Sequence, residues 1–222
     1  MINQNKELEI FNVDLDNISH SGASLGLCEK VFAGPVGKII VTTEDSIILY
    51  DVNAKKTVSQ IVLASEYQNM KKVVWNKGNS LVALVCKKVV HILTKGLSKV
   101  CSIQEKFNIK SVVWREGILV YSTINHLKYA LINGESGILK CTEQKVRIVA
   151  YEKDEMIVLD SNGKILNLKI DPEEFLLKQA LFEKNYERTK ACLEGNKRLG
   201  NATIAYLYKK NYSALAMNLV TD

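Results

Sequence analysis

A short apolar motif recurs along the first three quarters of this chain at an interval of about 40 residues, a length common among structural repeats. The tripeptide Val-Val-Trp occurs at Val73–Trp75 and again at Val112–Trp114. Four apolar runs follow the same rhythm, with starts at positions 47, 89, 127 and 165: Ile47–Val52, Val89–Thr94, Leu127–Ile132 and Ile165–Ile170. Self-similarity of this kind among short strands is typical of β-propeller blades, each a small four-stranded sheet that must stack on its neighbours. The sequence therefore predicts a scaffold built from repeats.

Four aromatic residues mark the same repeat, and each is predicted to lie just before a strand: Phe32, Trp75, Trp114 and Tyr151. We expect Trp75 and Trp114 to anchor successive blades, because a large aromatic side chain at an equivalent place can pin one sheet against the next. The dipeptides Asn133-Gly134 and Asn162-Gly163 predict tight hairpin turns with positive φ at both central residues. The pattern extends from about Glu7 to Ile170.

Residues 7 to 170 suffice for about four blades, whereas six or seven blades of roughly 40 residues need about 240 residues or more. We therefore interpret the chain as a piece of a longer protein. A partial propeller would expose an apolar blade face and an unpaired strand edge, so we expect the isolated chain to self-associate through this edge, as a dimer.

At Asp171 the sequence changes from a strand pattern to a helix pattern. Asp171 is predicted to be an N-cap, Pro172 the first helical residue, and Glu174 the third, where it would complete a capping box. Beyond it the sequence predicts four short helices over residues 172–184, 186–194, 201–210 and 212–220. Lys184-Asn185-Tyr186 recurs further along as Lys210-Asn211-Tyr212, which indicates the beginning of an α-solenoid. The predicted fold is thus mainly β with C-terminal α, with a partial propeller over 1–170 and a solenoid start over 171–222.

The composition excludes several classes of protein. A net charge of +6 without a basic tail or stripe argues against nucleic-acid binding. No apolar run approaches the ~18 to 20 residues that span a bilayer, so we expect a cytosolic protein. Five cysteines without Cys-x-x-Cys spacing indicate free thiols rather than disulfides or a zinc site.

No motif for catalysis, cofactor binding or metal binding is present, and we predict none of these activities. His20, His91 and His126 are far apart in sequence, and His91 lies in an apolar strand where a hydrogen-bonded structural histidine is expected. An alternative is a propeller enzyme whose channel would use residues such as His126 and Glu135. Four lysine pairs are interpreted mainly as solvated turns and strand edges, with a weakly basic face toward anionic lipid as the alternative: Lys55-Lys56, Lys71-Lys72, Lys87-Lys88 and Lys209-Lys210.

The chain resembles the coatomer α-subunit family of the COPI vesicle coat. The resemblance covers about Cys28 to Asp222 and is densest in these stretches: Ser46–Val52 with Lys55–Thr57, Thr123–Ala130, Ile170–Phe175 and Ile204–Lys210. It implies that residues up to 170 are the later blades of the second of two WD-repeat propellers, and that the α-solenoid begins at Asp171. The sequence departs from a WD repeat in having no Trp-Asp pair, since only Tyr50-Asp51 resembles one.

The resemblance also implies a structural role in intracellular protein transport, between Golgi and ER and within the Golgi. The implied partners are other coatomer subunits, above all β′ and ε, and through them a small GTPase and the Golgi membrane. Recognition of dilysine cargo belongs to the first propeller in this family, so it is not expected here. The coatomer β′ subunit and the propeller-plus-solenoid proteins of the nuclear pore or of intraflagellar transport remain alternatives.

Overall fold

The computed structural model describes residues 1–14, 17–23, 25–67, 69–153, 155–194 and 201–217. These residues form two compact units. The larger unit consists of Met1–Glu152 and Met156–Leu168 and contains the strands. The smaller unit consists of Lys153–Glu155 and Lys169–Asp222 and contains the helices. The predicted fold class, mainly β with C-terminal α, is confirmed.

Seventeen strands are described, and fifteen of them form four antiparallel sheets in simple meander order. A two-stranded hairpin comes first, β1 (Leu8–Asp14) with β2 (Asn17–Ala23). Sheet I contains β3 (Cys28–Ala33), β4 (Lys38–Thr43), β5 (Ser46–Asp51) and β6 (Lys56–Val62). Sheet II contains β7 (Lys72–Trp75), β8 (Leu81–Val85), β9 (Val89–Thr94) and β10 (Lys99–Gln104). Sheet III contains β11 (Ser111–Arg115), β12 (Ile118–Ser122), β13 (His126–Ala130) and β14 (Ser136–Cys141), and sheet IV contains β15 (Arg147–Glu152), β16 (Glu155–Leu159) and β17 (Ile165–Lys169).

Each interval of the sequence repeat corresponds to one sheet. The four apolar runs coincide with the third strand of each sheet, namely β5, β9, β13 and β17. In sheets I and II these strands and their second-strand neighbours are buried at nearly every position because both of their faces are covered, whereas β17 alternates between exposed and partly buried residues. In β8, Val82 and Leu84 pack in a cluster shared with sheet I, whereas Ala83 and Val85 pack in a cluster shared with sheet III. Alternate side chains of one strand therefore fill two different cores, as the two-residue period of a strand requires.

The predicted position of the aromatic markers is wrong by one element. Phe32, Trp75, Trp114 and Tyr151 lie within the first strand of their sheets and not before a strand. These first strands are only four to six residues long. The tripeptide Val-Val-Trp makes up most of such a strand. A strand this short shows too few alternating positions for its ends to be located from the sequence.

The two predicted hairpin turns are present, but their geometry differs from the prediction. Only the glycines have positive φ, +88° at Gly134 and +81° at Gly163. The N–H of Gly134 donates to the Leu131 carbonyl at 3.0 Å, and the Asn133 side chain accepts from the Glu135 N–H at 3.0 Å. Positive φ at a single glycine is typical of hairpin loops of three or more residues. The two-residue turns that were expected would need positive φ at both central residues.

The smaller unit contains four helices: α1 (Glu173–Phe182), α2 (Tyr186–Glu194), α3 (Asn201–Lys209) and α4 (Ser213–Met217). Their shared core is formed by Leu177, Leu181, Leu207 and Ala216. The predicted helices agree within a few residues at the ends that the structure describes, and the predicted end of the last one, at residue 220, lies outside the described residues. No described helix is long and apolar enough to cross a membrane.

Helices α1 and α3 end in the same way, at an offset that differs from the sequence repeat. The residues with left-handed backbone are Lys184 (φ +54°) and Asn211 (φ +64°). Directly after them, the N–H of Asn185 donates to Ala180 and that of Tyr212 donates to Leu207, both at 2.9 Å. These are Schellman-type ends. Lys184 and Asn211 are one residue further apart than the two Lys-Asn-Tyr tripeptides. The left-handed residue is thus the lysine of the first tripeptide and the asparagine of the second.

Candidate functional site

The contacts between neighbouring sheets involve the aromatic residues of the first strands. Trp75 packs against the cluster shared by sheets I and II, and Trp114 against the cluster shared by sheets II and III. Both side chains are partly buried. The Trp114 indole N–H donates to the Val74 carbonyl of the neighbouring sheet at 2.9 Å, whereas the buried indole nitrogen of Trp75 has no hydrogen-bond partner among the described residues. Equivalent positions thus make different polar contacts.

Sheets III and IV are joined by a cationic contact and a buried hydroxyl. The guanidinium carbon of Arg115 lies 4.3 Å from the centre of the Tyr151 ring. Ser111 Oγ bonds to Ser122 Oγ at 2.6 Å and accepts from the backbone N–H of Ile148 at 2.7 Å. Because a buried hydroxyl that bridges two sheets fixes their relative register, these contacts support a rigid arrangement of the two sheets.

The start of α1 carries the other predicted structural residues. The helix begins at Glu173, one residue after the predicted start, and Pro172 (φ −87°, ψ −6°) stands in the capping position that was predicted for Asp171. Asp171 Oδ1 accepts from the Glu173 N–H at 3.1 Å. Glu174 accepts from Lys178 Nζ at 2.5 Å, one helical turn later. The Asp171 carboxylate therefore satisfies an N–H of the first turn.

The helices present several large side chains to solvent. The four most prominent are Phe182, Tyr186, Tyr208 and Met217, with Tyr186 65% exposed and Tyr208 50% exposed. Beside them, Tyr206 is partly buried, and the ammonium groups of Lys178 and Lys210 lie 4.9 and 5.9 Å from its ring centre. Exposed aromatic residues of this kind are frequent in protein-protein interfaces.

His91 is a structural histidine, as predicted. Its side chain is 1% exposed, with Nδ1 at 2.8 Å from Ser102 Oγ and Nε2 at 3.0 Å from the Glu66 carbonyl oxygen. Since a carbonyl only accepts, Nε2 carries the proton and Nδ1 accepts from the serine hydroxyl. Burial lowers the pKa of His91 below its ordinary value, although the Glu66 carbonyl acts in the opposite direction. The ring is neutral and fully hydrogen-bonded.

The residues of the predicted alternative, a channel enzyme, are not brought together. His126 begins β13, whereas Glu135 lies in the turn at the other end of that strand. The side chain of His20 lies outside the described residues. No group of three or more metal-ligating side chains occurs within the described part of the chain.

The cysteines are free thiols, and burial raises the pKa of four of them: Cys28, Cys86, Cys101 and Cys192. A raised pKa keeps a thiol protonated at neutral pH and therefore a poor nucleophile.

One buried polar cluster was not predicted. Tyr121 is fully buried and donates to Glu105 Oε1 at 2.6 Å, and Lys128 Nζ donates to the same oxygen at 2.5 Å. Burial and the neighbouring carboxylate raise the pKa of Tyr121. Glu105 follows β10 directly, so its sequence position resembles that of an exposed turn residue. The inward orientation of the Glu105 carboxylate depends on Tyr121 and Lys128, which are distant in sequence, and so it could not be predicted from the residues around Glu105.

Comparison with known proteins gives results for both units. A family model described as COPA/B second β-propeller matches residues 1–160. The putative coatomer subunit alpha of Schizosaccharomyces pombe is 36% identical over 193 residues, and the coatomer subunit alpha of Saccharomyces cerevisiae is 37% identical over 193 residues. Each alignment covers 86% of this chain and 16% of the relative.

Among solved structures, Kluyveromyces lactis Hsv2 with loop 6CD replaced by a Gly-Ser linker aligns with a TM-score of 0.55 and 13% identity. The alignment covers 74% of this chain and 56% of that one, and at this identity it supports the fold alone. The chain spans about a sixth of the length of the curated relatives, as the 16% coverage states. Because the family model accounts for 160 of the 222 residues, the chain belongs to the coatomer COPA/B second β-propeller family.

Proposed function

We propose that the chain is part of a structural subunit of the COPI vesicle coat and acts as a protein-protein interaction scaffold. The observation that carries the proposal is the match of residues 1–160 to the COPA/B second-propeller model. The process would be intracellular protein transport, in particular Golgi-to-ER retrograde and intra-Golgi vesicle traffic. In this role the chain holds partners in a fixed geometry and catalyses no reaction.

We assign residues 1–170 to the second propeller of the parent subunit and residues 171–222 to the beginning of its α-solenoid. The last described strand ends at Lys169 and the first helix begins at Glu173, which supports a boundary between them. In this assignment Trp75 and Trp114 anchor successive blades. Asp171, Pro172 and Glu174 set the first turn of the first solenoid helix.

The partners we propose are other coatomer subunits, above all β′ and ε. Through these subunits the chain would act on the cytosolic side of Golgi membranes and COPI-coated vesicles, together with a small GTPase. Short solenoid segments bury only part of their apolar surface and extend by stacking against further helices or partner chains. The exposed side chains of Tyr186 and Tyr208 make the helical unit the surface we assign to these subunits.

Binding of the tagged chain to purified β′ and ε subunits tests the proposal. We expect retention of at least one of them. The double variant Tyr186→Ala/Tyr208→Ala should lower the affinity for the retained subunit at least tenfold, since truncation of a central interface aromatic often costs about 2 kcal/mol. The matched control is Glu187→Ala/Lys209→Ala, which changes the exposed neighbours of the same two tyrosines. Absence of binding by the unmodified chain, or equal loss in both variants, would contradict the assignment.

A further inference from the structure

Lysines that are distant in sequence meet at one end of sheets I to III. In a meander, successive turns alternate between the two ends of the strands. The connection from β6 to β7, the turn from β8 to β9 and the connection from β10 to β11 therefore emerge at the same end. These three segments and the first residue of β7 carry six lysines, which we call the basic face: Lys71, Lys72, Lys87, Lys88, Lys106 and Lys110.

Backbone hydrogen bonds hold the segments of the basic face against one another. The Lys87 carbonyl accepts from the Ile109 N–H at 3.0 Å, and the Lys88 carbonyl accepts from the Glu105 N–H at 2.8 Å. On the other side, the N–H of Lys71 donates to the Val85 carbonyl at 2.8 Å. The β8–β9 turn is thus fixed between the two connections, so the three segments form one continuous backbone surface.

The six lysines are not held in ion pairs among the described residues, although the same end of sheet I also carries Glu29, which lines one cavity with Lys71, and the exposed Glu44 and Asp45 of the β4–β5 turn. Lys110 is partly exposed and the other five lysines are exposed, and none of the six forms an ion pair within the described part of the chain. Glu105 belongs to the same connection, but its side chain is 7% exposed and is held inward by Tyr121 and Lys128. Glu66 is paired with Lys99 at 2.7 Å.

Two apolar side chains project from the same surface. Phe107 is 51% exposed and follows Lys106 directly. Ile124 is 40% exposed, in the β12–β13 turn at the same end, and the bond from the Lys110 N–H to the Ser122 carbonyl at 2.8 Å brings that turn beside Lys110. An aromatic side chain among lysines suits a bilayer interface, where the ring enters the headgroup region and the ammonium groups meet anionic lipid.

The shape of the surface around Lys87, Lys88 and Phe107 favours a bilayer over an acidic peptide, whereas Lys71 lines a cavity of about 510 Å³ beside Glu29. Lys87 and Lys88 are the two central residues of a tight turn, closed by the bond from the Cys86 N–H to the Val89 carbonyl at 2.8 Å. Such a turn projects outward, and Phe107 lies in the adjacent loop. A peptide needs a groove that surrounds its side chains, whereas a bilayer accepts projecting groups.

We propose that the basic face, with Phe107 and Ile124, is a docking site for the surface of an anionic phospholipid bilayer. This contact would be direct and would not require the coat partners proposed above. Lysines near an anionic surface each contribute a factor of about five in partitioning, so several of them together give measurable binding that weakens with salt.

Co-sedimentation of the 222-residue chain with vesicles tests the proposal. We expect binding to phosphatidylcholine vesicles that contain phosphatidylserine, and much weaker binding to phosphatidylcholine alone. Lys87→Glu/Lys88→Glu should lower the partition coefficient about 30-fold or more, which is the factor for loss of two lysines. Phe107→Ser should lower it further at high salt, where the electrostatic contribution is screened.

The matched control is Lys55→Glu/Lys56→Glu, which makes the same change in net charge at the β5–β6 turn, at the opposite end of the strands. Both pairs are exposed, so circular dichroism should show unchanged folds. Equal loss of vesicle binding in the two variants would overturn the proposal, because binding would then follow net charge alone. Failure to bind anionic vesicles would also overturn it, and retention of an acidic peptide by the same surface would then identify a protein partner.

Discussion

At the residue scale, the hydrogen bonds of His91 determine how its protonation affects stability. The ring is buried and neutral, and burial lowers its pKa below the ordinary value of 6.5. The unfolded chain therefore binds a proton at a higher pH than the folded chain does. The stabilising contribution is present above the unfolded pKa and is lost as the pH falls below it.

We expect urea unfolding to give a lower free energy of unfolding at about pH 5 than at about pH 7.5. This difference should be smaller in His91→Gln, which lacks the titrating ring. A single proton limits the slope to about 1.4 kcal/mol per pH unit. His126→Gln is the control, since this side chain is only partly buried. If the wild type and His91→Gln lost the same free energy on acidification, another group would be responsible.

The two tryptophans differ in one hydrogen bond, and this difference is measurable. Trp114→Phe removes the N–H that bonds to the Val74 carbonyl, whereas Trp75→Phe removes a buried N–H without a partner among the described residues. We expect Trp114→Phe to cost about 1 kcal/mol more free energy of unfolding than Trp75→Phe. Replacement of either residue by Ala should cost about 3 to 5 kcal/mol. Equal costs for the two Phe variants, measured by urea unfolding, would show that the indole hydrogen bond contributes no net stability.

At the element scale, α1 depends on a carboxylate that precedes it. Asp171→Ala removes the acceptor of the Glu173 N–H, and we expect a loss of about 0.5 to 2 kcal/mol in the stability of the helical unit. Asp171→Asn is the control, because its amide oxygen still accepts this bond. Thermal unfolding followed by circular dichroism measures both variants. A midpoint that is unchanged in Asp171→Ala would argue against a cap at this residue.

The sequence was informative for elements whose pattern is local. The third strands of sheets I and II carry a strong pattern because both of their faces are buried, which makes nearly every position apolar, as in Val89–Thr94. The aromatic residues of the first strands were placed before a strand instead of within one, because a segment as short as Lys72–Trp75 carries too little pattern to fix its ends. The Lys-Asn-Tyr repeat identified two equivalent helix ends but placed them one residue out of register, since left-handed geometry falls on Lys184 and Asn211.

At the scale of the whole molecule, contacts between distant segments were beyond the reach of sequence patterns. The pairs Lys71-Lys72 and Lys87-Lys88 are visible in the sequence. Their common surface with Lys106 and Phe107 depends on the order of strands and on backbone bonds between loops. The same holds for Glu105, whose inward orientation is set by residues 16 and 23 positions away.

Formation of a dimer remains a prediction, and it also concerns the whole molecule. On the outer strands of sheets III and IV, Ile138 and Ile165 are more than half exposed. We expect a dimer that buries these side chains, since solvent-exposed strand edges and apolar patches favour pairing with a second copy. Ile165→Lys should shift the equilibrium toward monomer, whereas Val58→Lys on β6 should not. Sedimentation of all three proteins over a range of concentrations decides this, and a wild-type monomer at every concentration would refute it.

The two units should also differ in their unfolding. Trp75 and Trp114 both lie in the unit of sheets, so tryptophan fluorescence follows that unit alone, whereas far-ultraviolet circular dichroism detects the helices as well. Among the described residues, the apolar cluster that the helices share contains four buried side chains, whereas the sheets share several larger clusters. Because the surface buried on folding sets the stability of a small unit, the helices should unfold at lower urea than the sheets. Non-coincident transitions of the two signals would confirm this order, and coincident transitions would mean that sheets and helices unfold as one cooperative unit.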